Sequence, residues 1–213
     1  MEILSYEAKI CWGFIRIDFP IATIPPLLFS ITALKLCIRD FGFDPMQTLV
    51  NSVYSLIYFV LFLYTFTLSN QVIGVDEDKI NKPQRPIPSG MITVEDAKKR
   101  LYFYNAVYFL ISFYKGVVPQ TLMWQAATFF GHFGGGHKNG IIKNFLNSVA
   151  GIIPQLAGAW KIMYGEVPDH INQWIIYVAW IMFFLMPIQE LRDIPGDKLN
   201  GRKTLPIMLG EKF

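Results

Sequence analysis

Charge is so unevenly distributed along this chain that few folds remain open to it. Only 16% of its 213 residues are charged and 53% are hydrophobic, whereas a soluble domain carries about a quarter charged residues. Stretches almost free of charge lie near residues 20–37, 51–69, 101–114, 117–134, 144–164 and 171–188. A membrane crossing takes roughly 20 mostly apolar residues. The third stretch is short, and the fourth carries Gln120, Gln125 and His132. In lipid every backbone N–H and C=O must be satisfied internally, which a helix does within its own segment. The period-two alternation of a barrel strand is absent. The expected fold class is therefore all-α, a polytopic membrane helical bundle with about six spans.

Lysine and arginine orient such a bundle, because cytoplasmic loops hold an excess of them. On the six-span map, 15 of the 19 basic residues fall on one side. They occupy the N-terminal segment, residues 71–100, the turn near 135–143 and the tail from Arg192. Lys35, Arg39, Lys115 and Lys161 fall on the other. The basic side is expected to be the cytosol, with the endoplasmic reticulum as the membrane if the source is eukaryotic. This bias accounts for the net charge of +3, so no nucleic-acid partner is expected. The first 19 residues lack the charged n-region and clean apolar core of a cleaved signal peptide. Either an amphipathic interfacial segment or a polar lead-in fits them. Cys11 and Cys37 fall on opposite membrane sides, so no disulfide between them is expected.

No linker divides the chain, and a single domain over residues 1–213 is expected. Pro83, Pro86 and Pro88 rule out one continuous helix through residues 79–99. Thr93, ahead of Val94-Glu95-Asp96, offers a helix cap. Residues 131–140, GHFGGGHKNG, are glycine-rich but have neither the preceding strand nor the spacing of a phosphate loop. They are expected to let the chain turn at the membrane surface.

The chemistry sits where two apolar runs end. The first leads into NQVIGVDEDKINKPQRP, residues 70–86, and the second into QELRDIPGDKLNGRKT, residues 189–204. At 100° per residue, Asn70, Glu77 and Asp78 fall in one sector of a helix that continues that far, while Asp76 points away. Asp193 and Asp197 are an i,i+4 pair with Pro195 between them. Hard oxygen ligands of this kind suit Mg²⁺, which bridges carboxylates to phosphate. A solvated acidic loop contains the same residues. Two clusters on one membrane face, each fused to a span, favour metal.

The segments NQVIGVDEDKINKPQRPIPSG and LRDIPGDKLNGRKTLPIMLG resemble the two aspartate-rich motifs of the UbiA superfamily of intramembrane prenyltransferases. The resemblance covers both motifs, their span context and their separation. It implies Mg²⁺ as cofactor and an isoprenoid diphosphate as substrate. The allylic cation then alkylates an acceptor or, in some branches, cyclises. It also implies a nine-helix bundle, so this chain is expected to lack the last helices. The family's first motif is Asn, Asp four residues on, and Asp four further. Here Asn70 and Asp78 match, but Gly74 stands at the middle position, with Glu77 as a substitute ligand. The first motif also resembles a fungal branch with membrane-bound sesquiterpene cyclases, which act on farnesyl diphosphate without a second substrate.

The expected catalytic residues are Asn70, Asp78, Asp193 and Asp197, and Glu77 joins them as a metal ligand. Arg85, Lys82, Lys143, Asn144, Asn147 and Lys203 are the expected substrate-binding residues, placed at span mouths where cations and amides meet a diphosphate. Positive-inside topology alone also accounts for most of these cations. Phe59, Phe62, Tyr64 and Phe66 are candidates for the cavity lining. His132 and His137, five apart, do not share a helical face and read as loop residues rather than a metal pair. The expected function is Mg²⁺-dependent terpene cyclisation of farnesyl diphosphate. Prenyl transfer to an aromatic or quinone-type acceptor is the alternative, and a truncated non-catalytic isoprenoid binder is a third reading.

Overall fold

The computed structural model describes residues 2–191, 194–199, 201 and 203–210. Among these the chain is helical throughout, apart from loops and one isolated backbone bridge. An N-terminal helix α1 (Glu2–Ile15) and a short α2 (Phe19–Ala22) lead into α3 (Ile24–Phe41) and α4 (Pro45–Ile73). After a short α5 (Val75–Asn81) come α6 (Val94–Ser112), α7 (Val118–His132), α8 (Gly140–Asn147) and α9 (Val149–Tyr164). The chain closes with α10 (Asp169–Leu185), α11 (Pro187–Glu190), α12 (Ile194–Leu199) and α13 (Leu205–Leu209).

Long helices occupy all six expected stretches. Among the described residues, three segments are long and apolar enough to cross a membrane: Phe19–Phe41, Pro45–Ile73 and Asp169–Glu190. The others differ for local reasons. The first two turns of α6 carry Glu95, Asp96, Lys98, Lys99 and Arg100, while α7 and α9 have only 15 and 16 residues. Side chains cap several starts and relieve the free N–H groups there. Asp44 accepts from the Gln47 N–H at 3.0 Å, Thr93 from the Asp96 N–H at 3.1 Å, and Asn139 from the N–H groups of Ile141 and Ile142.

The bundle packs around α4 and α9. Without a hydrophobic drive between helices in lipid, close approach through small residues supplies the contact. Gly158 of α9 lies against Tyr58, and Gly151 against the Trp124 ring. Trp124 donates its indole N–H to the Phe62 carbonyl at 3.1 Å, pinning α7 to α4. One pole of the bundle is fixed by Tyr164 donating to Asp40 and Tyr54 donating to the Ile111 carbonyl. At the opposite pole the ends of α4, α7 and α10 meet the starts of α6 and α8. The N-terminal segment is an amphipathic helix, not a loose lead-in. Ile10, Phe14 and Ile15 join a core with Leu63, Leu68 and Leu101, and Glu7 pairs with Arg100 of α6. Both cysteines are free thiols.

Candidate functional site at the polar pole

Every expected site residue that the structure describes lies at this second pole. Asp193 lies outside the described residues, as do Arg192 and Asn200. The helix α4 does not run on through the first motif. It stops at Ile73, and Gly74 adopts φ −95°, ψ 22° before α5 begins. A Cβ at Gly74 would sit 2.9 Å from the Asn70 carbonyl oxygen, 3.7 Å from Glu77 Oε2 and 3.8 Å from Asn70 Oδ1. The Asn70 amide and the Glu77 carboxylate therefore flank the position where the family motif has its middle Asp. Asp76 is exposed and pairs with Lys79 at 2.9 Å.

Asp78 turns elsewhere. It is buried, and Nη1 of the buried Arg85 donates to both its oxygens at 2.9 Å, while Arg85 Nη2 lies 3.9 Å from Asp18. Lys82 is half-buried at the end of α5. Asp197, fully buried on α12, belongs to a helix packed directly against α5. Gly196 makes that packing possible, since a Cβ there would collide with the Asn81 side-chain amide. The two acidic motifs thus adjoin. Among the described residues no three of His, Cys, Asp or Glu form a group able to hold a metal ion.

The glycine-rich segment does more than turn the chain. Gly140 donates to the Lys203 carbonyl at 2.8 Å and Lys203 to the Lys138 carbonyl at 3.1 Å. A Cβ on Gly140 would lie 2.6 Å from the Leu205 nitrogen. The tail of the second motif is thereby latched onto residues 138–140 by backbone alone, and the Lys203 side chain stays exposed. Just beyond, Lys143 reaches to 3.0 Å from Glu190 Oε1. Asn144 is fully buried, and its amide has no hydrogen-bond partner among the described residues. Both asparagines, expected at the start of the fifth span, sit on the separate helix α8.

Three adjoining hollows ring the C-terminal half of α7. An inner cavity of about 60 Å³ is lined by residues including Phe66, Asn70, Trp124, Lys143 and Asn147. A mouth of about 410 Å³ is lined by Gly74, Asp76, Glu77 and Lys138, among others. A lateral groove of about 460 Å³ lies between α6 and α7, with Leu101, Tyr102, Asn105 and Phe129 in its wall. Thr128 lines the cavity and the groove; His132 and His137 line the cavity and the mouth. Of the aromatic candidates, Phe66 lines the cavity and Phe62 stacks behind it on Trp124 at 4.2 Å. Tyr64 instead faces Phe14 and Tyr104 on the α1 side, and Phe59 is buried against Tyr58. Trp124 and the two histidines were not expected there. The histidine rings lie 5.7 Å apart because α7 ends at His132 and Gly135, at φ +76°, folds the chain back.

A buried acid–arginine pair, two adjoining carboxylate motifs and hollows with aromatic side chains in their walls come together at one end of the helical bundle. The chain belongs to the UbiA prenyltransferase family, whose model matches residues 27–213. It is 34% identical over 206 residues to somaliensene A/B synthase of Streptomyces somaliensis, covering 97% of this chain and 67% of that protein. It is 35% identical over 210 residues to the diterpene cyclase eriG of Hericium erinaceus, covering 98% and 66%. The chain thus spans about two thirds of the length of these relatives. Its fold matches a solved structure of digeranylgeranylglyceryl phosphate synthase with a TM-score of 0.73 at 20% identity, over 100% of this chain and 71% of that one.

Proposed function

We propose that this chain ionises an isoprenoid diphosphate inside the membrane and cyclises the resulting allylic cation, with farnesyl diphosphate as substrate. The observation that carries this reading is the packing of α5 against α12 beside hollows walled by Phe66 and Trp124. Acid and aromatic groups would thereby flank one bound molecule. The inner cavity alone is far below the roughly 300–1,000 Å³ of small-molecule sites. The prenyl chain accordingly extends through the adjoining hollows.

Carboxylate and amide oxygens fit Mg²⁺ in kind. Asn70, Glu77, Asp78, Asp193 and Asp197 would hold it. Mg²⁺ is usually held by one or two carboxylates plus substrate phosphates rather than by an all-protein cage, so three convergent acids are not required. When bound it would supply Lewis-acid stabilisation of the departing diphosphate. Lys143, beside Asn147 in the cavity wall, lends positive charge to the same end. Arg85, Lys82 and Lys203 raise the potential around the motifs, and Asn144 offers amide groups behind Lys143. Apolar walls keep water from the cation, and the faces of Trp124 and Phe66 attract it. The mouth opens to the cytosol, at the endoplasmic reticulum in a eukaryote.

A second reading, prenyl transfer to an aromatic or quinone-type acceptor, draws on the lateral groove, which shares Thr128 with the wall of the cavity. One experiment separates the readings. The purified protein is incubated with Mg²⁺ and farnesyl diphosphate, with and without an aromatic acid, and extracts are examined by mass spectrometry. A hydrocarbon without acceptor, abolished by chelation, supports cyclisation. Product only with acceptor supports transfer. Neither product from folded protein refutes both and leaves a non-catalytic isoprenoid binder.

A further inference from the structure

Two helices run into the bundle from the polar pole and line the inner cavity turn by turn. On α4 the lining residues are Asn70 and Phe66, and on α7 the deepest is Trp124, two turns in from the helix end. Residues four apart share a helical face, so Phe62 is next on the α4 face. It is not part of the lining. The Trp124 ring lies flat on it, with centroids 4.2 Å apart and planes within 3°. The indole N–H donates to the Phe62 carbonyl at 3.1 Å. From α9, Gly151 meets the edge of the ring, since a Cβ there would lie 2.9 Å from Trp124 Cζ3. The indole is thus held on its face, its N–H and its edge. One turn further in, Tyr58 of α4 and Thr121 of α7 are both buried and joined by a 3.0 Å hydrogen bond. The seam between the two helices is therefore closed beyond the ring, and Trp124 is the floor of the cavity. Asn70 and Phe62 are separated by about 12 Å of helix rise, which is the depth open to a chain held at the motifs.

We propose that Trp124 limits the length of prenyl chain this site turns over, a role that rests on the isoprenoid diphosphate reading above. The diphosphate stays with the polar residues at the mouth, and the last isoprene unit packs against the indole. A chain one unit too long meets the ring before its diphosphate reaches the motifs. The lateral groove is not the seat of the tail.

The test is a graded series, Trp124→Phe and Trp124→Leu, each checked for cooperative melting. The Phe62 carbonyl loses the indole in both but keeps the Thr65 hydroxyl at 3.3 Å, so it is not left unpaired. Each protein is given Mg²⁺ with geranyl, farnesyl, geranylgeranyl or geranylfarnesyl diphosphate, and kcat/KM is measured from diphosphate release. The readout is the ratio of the next longer donor to the donor that wild type uses best. A ratio cancels any loss of cation attraction that all donors share. It should rise at least about tenfold in Trp124→Leu, since one methylene in an apolar pocket already changes kcat/KM by about 10–200-fold. Trp124→Phe should fall between Leu and wild type, and it decides the matter alone if Leu does not fold. A ratio equal to wild type in the folded variants overturns the proposal, and so does a uniform fall for every donor. Ala106→Phe fills the lateral groove; if it moves the ratio and the series at 124 does not, the tail lies in the groove and the floor is wrongly assigned. If folded wild type releases diphosphate from none of the four donors, the isoprenoid reading itself fails, and the inference with it.

Discussion

Removing Arg85 isolates the strongest electrostatic contact at the site. The side chains of Arg85 and Asp78 are only 6% and 3% exposed, with both Asp78 oxygens 2.9 Å from Nη1. Arg85→Met keeps most of the side-chain length but leaves a buried carboxylate without its guanidinium. Breaking a buried pair from one side costs roughly 3–5 kcal/mol. Water at the nearby mouth offers partial compensation, so about 3 kcal/mol is expected. At about 2–4 °C per kcal/mol for a chain of this size, the melting temperature in detergent should fall by about 6–12 °C. Lys79→Met is the control. Its pair with Asp76 has the same 2.9 Å separation, but the side chains are 60% and 84% exposed, and such pairs contribute about 0–1 kcal/mol. The double variant Arg85→Met/Asp78→Leu should recover most of the loss, since apolar replacement of a buried pair is often neutral. If Arg85→Met melts like Lys79→Met, burial does not set the strength of this pair and the reasoning is wrong.

Further outcomes follow from the same geometry. Asp78→Asn and Asp197→Asn should each remove most turnover, and the double variant should be hardly worse, because groups acting as a unit are non-additive; near-normal rates in both single variants would refute a shared role. Gly74→Asp should weaken diphosphate binding more than Gly74→Ala, because a carboxylate at that position would crowd Glu77 Oε2 and Asn70 Oδ1; a rise in kcat/KM with Glu77→Gln silent would show that Glu77 is no ligand. Burial, then the nearby Glu7 carboxylate, push the Cys11 thiol up to about 11, so Cys11 should resist maleimide at pH 8 in folded protein; fast labelling would contradict the docking of α1. A cysteine placed at Gln84 should label from the cytosol and one at Asp44 from the opposite side; labelling of both from one face would break the orientation argument.

Much of this pole was legible because its signals are local. Thr93 caps α6 as its neighbours indicated, and Glu77 reached the Asn70 side as a helical wheel placed it. That wheel assumed an unbroken helix, however, and the helix breaks at Gly74. Placing Asp78 on the same face failed as a guide to its contact, because Arg85 returns through a Pro-bounded turn whose path no periodicity encodes. The Lys143–Glu190 pair and the Gly140–Lys203 latch join segments far apart in sequence. The histidines do not share a helical face, but beyond the end of α7 the chain still brings their rings within 5.7 Å of each other. A signal for them existed in Gly134-Gly135-Gly136, which permits the positive φ that brings the chain back.

The way this pole is held together bears on what its side chains are left to do. The latch between residues 138–140 and the second motif is made of backbone hydrogen bonds and a glycine. The seat of α12 on α5 depends on Gly196 having no Cβ, and the turn beside the mouth on Gly135. Asn70, Glu77, His132 and Lys143 line the hollows, and Lys143 is also paired with the buried Glu190 of α11. Asp78 and Arg85 form a still more deeply buried pair, which serves both stability and charge. A diphosphate with its metal would compete for each member, the cation for the phosphates and the carboxylate for the metal. The pair is therefore where binding and stability are coupled, and where a substitution that looks purely structural should also change affinity.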